Sequence, residues 1–102
     1  MNFLLSAQAE RALTQAWDFY FERGGTRLAD RVLAEIHDAI KRLVERPSLG
    51  HFRPDLTSKP FRFYRVYNIF LIYDPASLPL YIARVYHAAQ DIKQRMNDEA
   101  DK

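Results

Sequence analysis

The chain has 102 residues, 48% hydrophobic and 27% charged, with a formal charge of +2. That is length and composition for one domain, residues 1–102, around one core, and not for two. The absence of cysteine excludes disulfide frameworks, thiolate zinc sites, iron–sulfur clusters and a cysteine nucleophile, and fits a reducing, cytoplasmic setting.

The first run, Phe3-Leu4-Leu5, predicts a short strand. With no basic residues before it, it is too short for a signal peptide or a membrane span. Ser6 follows as a helix N-cap, with Glu10 in the first turn, where a carboxylate favours the positive end of the helix dipole. Ala9, Leu13, Ala16, Trp17 and Tyr20 then lay one apolar stripe along a helix that ends near Gly24-Gly25. A second helix starts about Thr26, because Leu28, Val32, Ile36, Ala39, Ile40 and Leu43 repeat that spacing, and Pro47 stops it. Two such helices joined by glycines lie nearly antiparallel and share an apolar surface that needs a cover.

Residues 47–60, with Pro47, Gly50, Pro54 and Pro60, read as a turn and an extended loop. Three aromatic and β-branched runs follow: Phe61 to Val66, Ile69 to Tyr73 and Leu80 to Tyr86. They predict sequential antiparallel strands, the middle one central because it is apolar on both faces. Asp91 to Met96 makes a short terminal helix before an acidic, frayed end at residues 98–102. The expected fold is α+β, a helical hairpin packed on a small antiparallel sheet in the order β-α-α-β-β-β, with a short C-terminal helix.

Charge is unevenly spread. Residues 1–50 balance seven Lys or Arg against seven acids, whereas residues 51–90 carry Arg53, Lys59, Arg62, Arg65 and Arg84 against Asp55 and Asp74. Such a surplus suits a nucleic-acid or acidic-protein partner, or equally a solvated face. The four serines lie in no strand-turn-helix elbow, and none of the three glycines precedes a Lys-Ser or Lys-Thr pair, so neither a serine nucleophile nor a phosphate-cradling loop is indicated. His37, His51 and His87 lack metal-ligand spacing, and no metal or cofactor is expected. His87, ending the last strand, is placed near Arg62 or Arg65 if the strands form one sheet. A histidine that exchanges protons near neutral pH, beside arginines that hold phosphate, is a minimal set for cleaving RNA. The equally plain alternative is that His87 ends a strand and bonds the following turn. The interleaving in Phe61-Arg62-Phe63-Tyr64-Arg65 is compatible with a base-stacking platform, but strand preference and core filling account for most of those aromatics.

Taken together, the sequence resembles the ParE/RelE superfamily of toxins from type II toxin-antitoxin modules, in its ParE-like, plasmid-stabilisation branch. The resemblance rests on Leu5-Ser6 with Ala9-Glu10, on Trp17-Asp18-Phe19-Tyr20, and on Ala29-Asp30-Arg31. It continues in Pro47-Ser48-Leu49-Gly50, in Arg53-Pro54-Asp55-Leu56, in Arg62, in Ile72-Tyr73 and in Arg84-Val85-Tyr86-His87-Ala88-Ala89-Gln90-Asp91. It implies a cytoplasmic toxin silenced by a cognate, ParD-like antitoxin. ParE-like members block DNA gyrase; RelE-like members cut messenger RNA on the ribosome. Arg53, Arg62, Arg65, Arg84 and His87 are the candidate target-binding residues, with Arg62, Arg84 and His87 catalytic in the RNase alternative. A degenerate, non-toxic antitoxin-binding protein is the third reading. RelE-like nucleases often carry an arginine and a tyrosine beyond the position of His87, where this chain has Ala88-Ala89-Gln90-Asp91. That weakens cleavage, because transition-state charge lacks a near partner. Gln90 also stands where the ParE-like branch often has arginine. Phe19, Phe21 and Leu33 lie off the main stripes and are the candidate antitoxin-binding patch.

Overall fold

A computed structural model of the chain describes residues 3–88 and 90–100. The elements are β1 (Phe3–Leu5), α1 (Ala7–Glu45), a 3₁₀ turn (Pro47–Leu49), β2 (His51–Phe52), β3 (Arg62–Val66), β4 (Ile69–Asp74), β5 (Leu80–His87) and α2 (Ile92–Ala100). The radius of gyration is 13.3 Å, as a chain of this length requires in one compact body.

Ser6 starts α1: its hydroxyl accepts from the Ala9 amide at 3.0 Å and donates to the Ala83 carbonyl at 2.7 Å, so one side chain caps the helix and ties it to β5. The backbone leaves helical angles at Gly24 (φ −155°, ψ 15°) and Gly25 (φ 74°, ψ −171°), where two helical limbs meet at a kink. The positive φ at Gly25 is one that glycine takes without a Cβ penalty. The two limbs fold back on each other there. Trp17 Nε1 donates to Asp30 Oδ1 at 2.9 Å, whereas thirteen residues of straight helix would separate them by about 20 Å. The antiparallel hairpin is therefore as the sequence predicts, and two segments of the family resemblance, around Trp17 and Asp30, meet across it.

The sheet has five strands in the order β1-β5-β4-β3-β2, with β4 in the centre as expected. Two details correct the predicted antiparallel sheet. β1 runs parallel to β5, pairing Phe3 with Leu80 and Leu5 with Ile82, so the sheet is mixed; the whole α1 hairpin, β3 and β4 intervene and bring the chain back beside its start. Within the expected loop, His51 and Phe52 pair antiparallel with Phe63 and Arg62 as a two-residue edge strand. The terminal helix also runs past Met96 to Ala100, so the backbone of residues 98–100 is helical and not frayed, while Asp101 and Lys102 lie outside the described residues. Asp91 begins this helix, accepting from the Gln94 amide at 3.1 Å.

The two faces of the sheet carry separate apolar clusters. On one face Ile69, Leu71, Tyr73, Leu80, Ile82 and Val85 pack against the hairpin stripe of Val32, Ile36, Ile40 and Leu43. On the other, Phe63, Ile72 and Tyr86 meet Ile92 and Met96 of α2, with Leu56, Phe61 and Phe70 at the margin. Near-complete burial of an aliphatic side chain contributes about 1.5–3 kcal/mol, so the hairpin side is the main source of stability. Among the described residues no helix is long and apolar enough to cross a membrane.

Candidate functional site

Arg62 turns out to be a brace. It pairs with Tyr73 across β3 and β4 and lies on the hairpin side of the sheet. Its guanidinium donates to the Gly50 carbonyl at 2.7 Å and to that of Ser48 at 3.4 Å, and lies 4.0 Å from the centre of the Phe52 ring. The Tyr73 hydroxyl enters the same loop, donating to the Pro47 carbonyl at 2.6 Å and accepting from the Gly50 amide at 2.8 Å. Burial pushes the Tyr73 phenol above its ordinary pKa, with the Gly50 amide bond opposing. A Cβ at Gly50 would fall 2.6 Å from that hydroxyl, which is why the segment Pro47-Ser48-Leu49-Gly50 ends in glycine. These residues fasten the end of the hairpin to the sheet.

A bulge decides where the later candidates point. Opposite Ile72 stands Arg84, but opposite Tyr73 stands Ile82, so Ala83 is an extra residue on β5. Strict alternation from Ile82 would put Arg84 on the hairpin side and His87 on the other; the bulge reverses both. His87 pairs with Ile69 and faces the first limb of α1, its ring 4.9 Å from that of Phe19. Arg84 instead faces α2, beside Lys59, Phe61, Tyr81 and Met96 around a cleft of about 200 Å³.

The expected neighbourhood of His87 with Arg62 or Arg65 is thus corrected. Arg62 shares its face but sits at the far end, since its row is Tyr73 and Ile82, five residues from His87 along β5 or about 16 Å of strand. Arg65 is one row from His87 but on the opposite face: it pairs with Phe70, lies 5.6 Å from that ring, and donates to the Tyr67 carbonyl and Asn68 Oδ1. Arg62, Arg84 and His87 do not converge on one point. Arg53, in the loop that reaches the α2 side through Leu56, is held by Asp55 in a two-bond pair at 3.0 and 2.9 Å. Its guanidinium keeps the Asp55 carboxyl below its ordinary value. Arg53, Arg65 and Arg84 therefore belong to the α2 side, with Lys59, and Arg62 and His87 to the hairpin side.

The three candidate apolar residues also divide. Phe21 is exposed and stacks on Trp17 with ring centres 5.1 Å apart. Leu33 borders a shallow groove with Leu13 and Trp17 on the same outer side of the hairpin. Phe19 instead turns inward, covered by Arg23 at 3.5 Å and by His87. It forms a wall of a cavity of about 410 Å³ between α1 and β5. Sequence reasoning missed Gln8 in this cavity, and it noted Gln90 only as a departure from arginine and not for its bonds to β5. The Gln8 amide donates to the Val85 carbonyl and accepts from the Val85 amide, as a paired strand would. Gln90 accepts from the His87 amide through Oε1 and gives its own backbone amide to the His87 carbonyl. Nothing in their spacing marks these bonds, because an amide side chain in a first helical turn, as at Gln8, or in a bend after a strand, as at Gln90, reads as ordinary surface. Among the described residues no group of three or more His, Asp or Glu could hold a metal ion.

Compared with known families, residues 3–92 match the model described as the ParE toxin of the type II toxin-antitoxin system, parDE. The chain belongs to the ParE toxin family. It is a toxin of the type II toxin-antitoxin class, and the class implies an antitoxin as partner. A comparison with curated proteins gives no match. The ParE match begins at β1 and ends at the first residue of α2, so it takes in the hairpin and the whole sheet but leaves out Arg95 of the cavity beside β5 and Met96 of the α2 side.

Proposed function

We propose that this ParE-family toxin inhibits DNA gyrase by docking, without cleaving a bond itself, and that its cognate antitoxin neutralises it. The observation that carries the docking reading is the split of Arg84 from Arg62 and His87 by the full thickness of the sheet. General acid–base work needs its groups within hydrogen-bond reach of one reacting atom. The target-binding surface in this reading is the α2 side, where Lys59 and Arg84 stand beside Phe61 and Tyr81 and Arg65 stands farther along beside Phe70; cations around aromatic anchors are the pattern of an interface that gains both steering and a buried contact. Arg53 extends it along the loop. The antitoxin covers the outer side of the hairpin, where Phe21, Trp17 and Leu33 leave apolar surface exposed.

The test is a gyrase supercoiling and DNA-cleavage assay run beside a translating ribosome with labelled message. Inhibited supercoiling with accumulated cleaved DNA, weakened roughly tenfold or more by Arg84→Ala and unchanged by His87→Ala, supports the reading. RNA cuts that vanish in His87→Ala overturn it in favour of a ribosome-dependent endoribonuclease. Harmless expression without antitoxin, with both assays negative, overturns it in favour of a non-toxic antitoxin-binding protein.

A further inference from the structure

We propose that the cavity between the first limb of α1 and β5 takes the acidic side chains of a short extended peptide. Resting on the antitoxin reading above, we assign that peptide to the antitoxin, as a second contact separate from the outer side of the hairpin. Charge is the first argument. Arg11 and Arg95 border the cavity from α1 and α2, together with Gln15, and none of its eleven lining residues, all among those described, is acidic. Two guanidinium groups facing one concavity with no carboxylate among its described lining residues favour an anion, and carboxylate matches the guanidinium fork in geometry.

Size and floor narrow the class. About 410 Å³ lies in the small-ligand range of roughly 300–1,000 Å³, which accommodates a few extended residues and not a helix about 10–12 Å across. The floor is aliphatic, from Ala12, Ala16, Ile69 and Val85, and suits an apolar side chain next to the acidic one. A nucleotide fits less well, because base recognition wants an open aromatic face, and the Phe19 ring is already occupied by Arg23 and His87.

The strand edge is the second argument. β1 stops at Leu5, and beyond it the outward amides and carbonyls of Val85 and His87 are met by Gln8 and Gln90. A peptide laid along this edge can take over the three glutamine side-chain bonds while the Gln90 backbone amide keeps the His87 carbonyl, so its entry leaves no backbone group of Val85 or His87 unmatched.

The experiment titrates the full-length, ¹⁵N-labelled protein at low salt with acetyl-Leu-Glu-Leu-Glu-Leu-amide, with its Gln-for-Glu counterpart, and with AMP. The acidic peptide is expected to move the side-chain amide signals of Gln8 and Gln90 and the backbone signals of residues 84–88 to saturation. The neutral peptide should bind roughly tenfold more weakly or worse, and the exposed double change Arg11→Gln with Arg95→Gln should produce a similar loss while leaving the melting temperature at the wild-type value. Equal affinity for the neutral peptide, tighter binding of AMP, or shifts confined to Trp17, Phe21 and Leu33 each overturn the proposal. Antitoxin capture that survives the Arg11/Arg95 change but fails in Phe21→Asp removes this second contact and leaves the proposed neutralisation standing. Loss in neither variant removes both.

Discussion

The two sides of the sheet are built on different physical terms. The hairpin side is a continuous aliphatic core, with Val32, Ile36, Ile40, Leu43, Leu71 and Ile82 all at 0% exposure, closed over by thirty-nine residues of helix. The α2 side has a smaller cluster, roofed by one nine-residue helix through Ile92 and Met96 and by the loop that brings Leu56 and Phe61, and it is rimmed by Lys59, Arg65 and Arg84. The contrast separates labour: one side supplies most of the stability of folding, and the other can hold exposed Lys59 and Arg65 and half-buried Arg84 beside its aromatics because it contributes less to that stability.

Substitutions on either side test this contrast. Ile36→Ala, in the centre of the hairpin side, is expected to cost about 3–5 kcal/mol in denaturant unfolding, the range for an aliphatic side chain whose cavity cannot collapse; a cost below about 1 kcal/mol would remove the assignment of the core to that side. Tyr73→Phe keeps the ring but deletes the bonds to Pro47 and Gly50, and should cost about 1–3 kcal/mol by leaving buried backbone groups unmatched. Its pH counterpart has a defined sign. Because the folded state raises the Tyr73 pKa above 10.0, its contribution is complete below pH 10 and is lost as pH rises through the higher folded value; tyrosinate absorbance should develop a late component that Tyr73→Phe reduces, the remainder coming from Tyr67, whose bond to Glu35 also raises its pKa.

Smaller effects belong to the edges. Ser6→Ala removes both the helix cap and the bond to Ala83, and about 1–2 kcal/mol is expected by thermal or chemical unfolding. Arg84→Ala should change stability by less than about 1 kcal/mol while weakening the gyrase inhibition proposed above, and a large loss of stability would show that the cationic rim is structural after all. Last, the Asp55 carboxyl should titrate below its ordinary 3.8 in wild type and return toward it in Arg53→Ala, read by carboxyl chemical shift. The held form of that pair is complete above the ordinary value and lost as pH falls through the depressed one.

Much of this architecture was legible without coordinates. Period-3.6 stripes around Gly24-Gly25 gave both limbs of the hairpin, Ser6 gave the cap, and the doubly apolar Ile69-Phe70-Leu71-Ile72-Tyr73 gave the central strand, because each signal is written within a few neighbouring residues. The candidate site was less so. Arg62, Arg84 and His87 were correctly placed on strands, yet their faces and rows were not readable, and Phe19 was separated from Phe21 and Leu33 only by packing.

Composition and spacing by themselves determined an α+β chain with a helical hairpin, a meander of late strands and a surplus of cations in its second half. Tertiary structure alone decided that β1 lies parallel to β5, that Ala83 bulges and so exchanges the directions of Arg84 and His87, and that Gln8 and Gln90 complete an unfinished strand edge. The physical reason is that helix period and capping act over one or two turns, whereas register and bulges depend on a partner strand distant in sequence, and one added residue there reverses every side chain that follows.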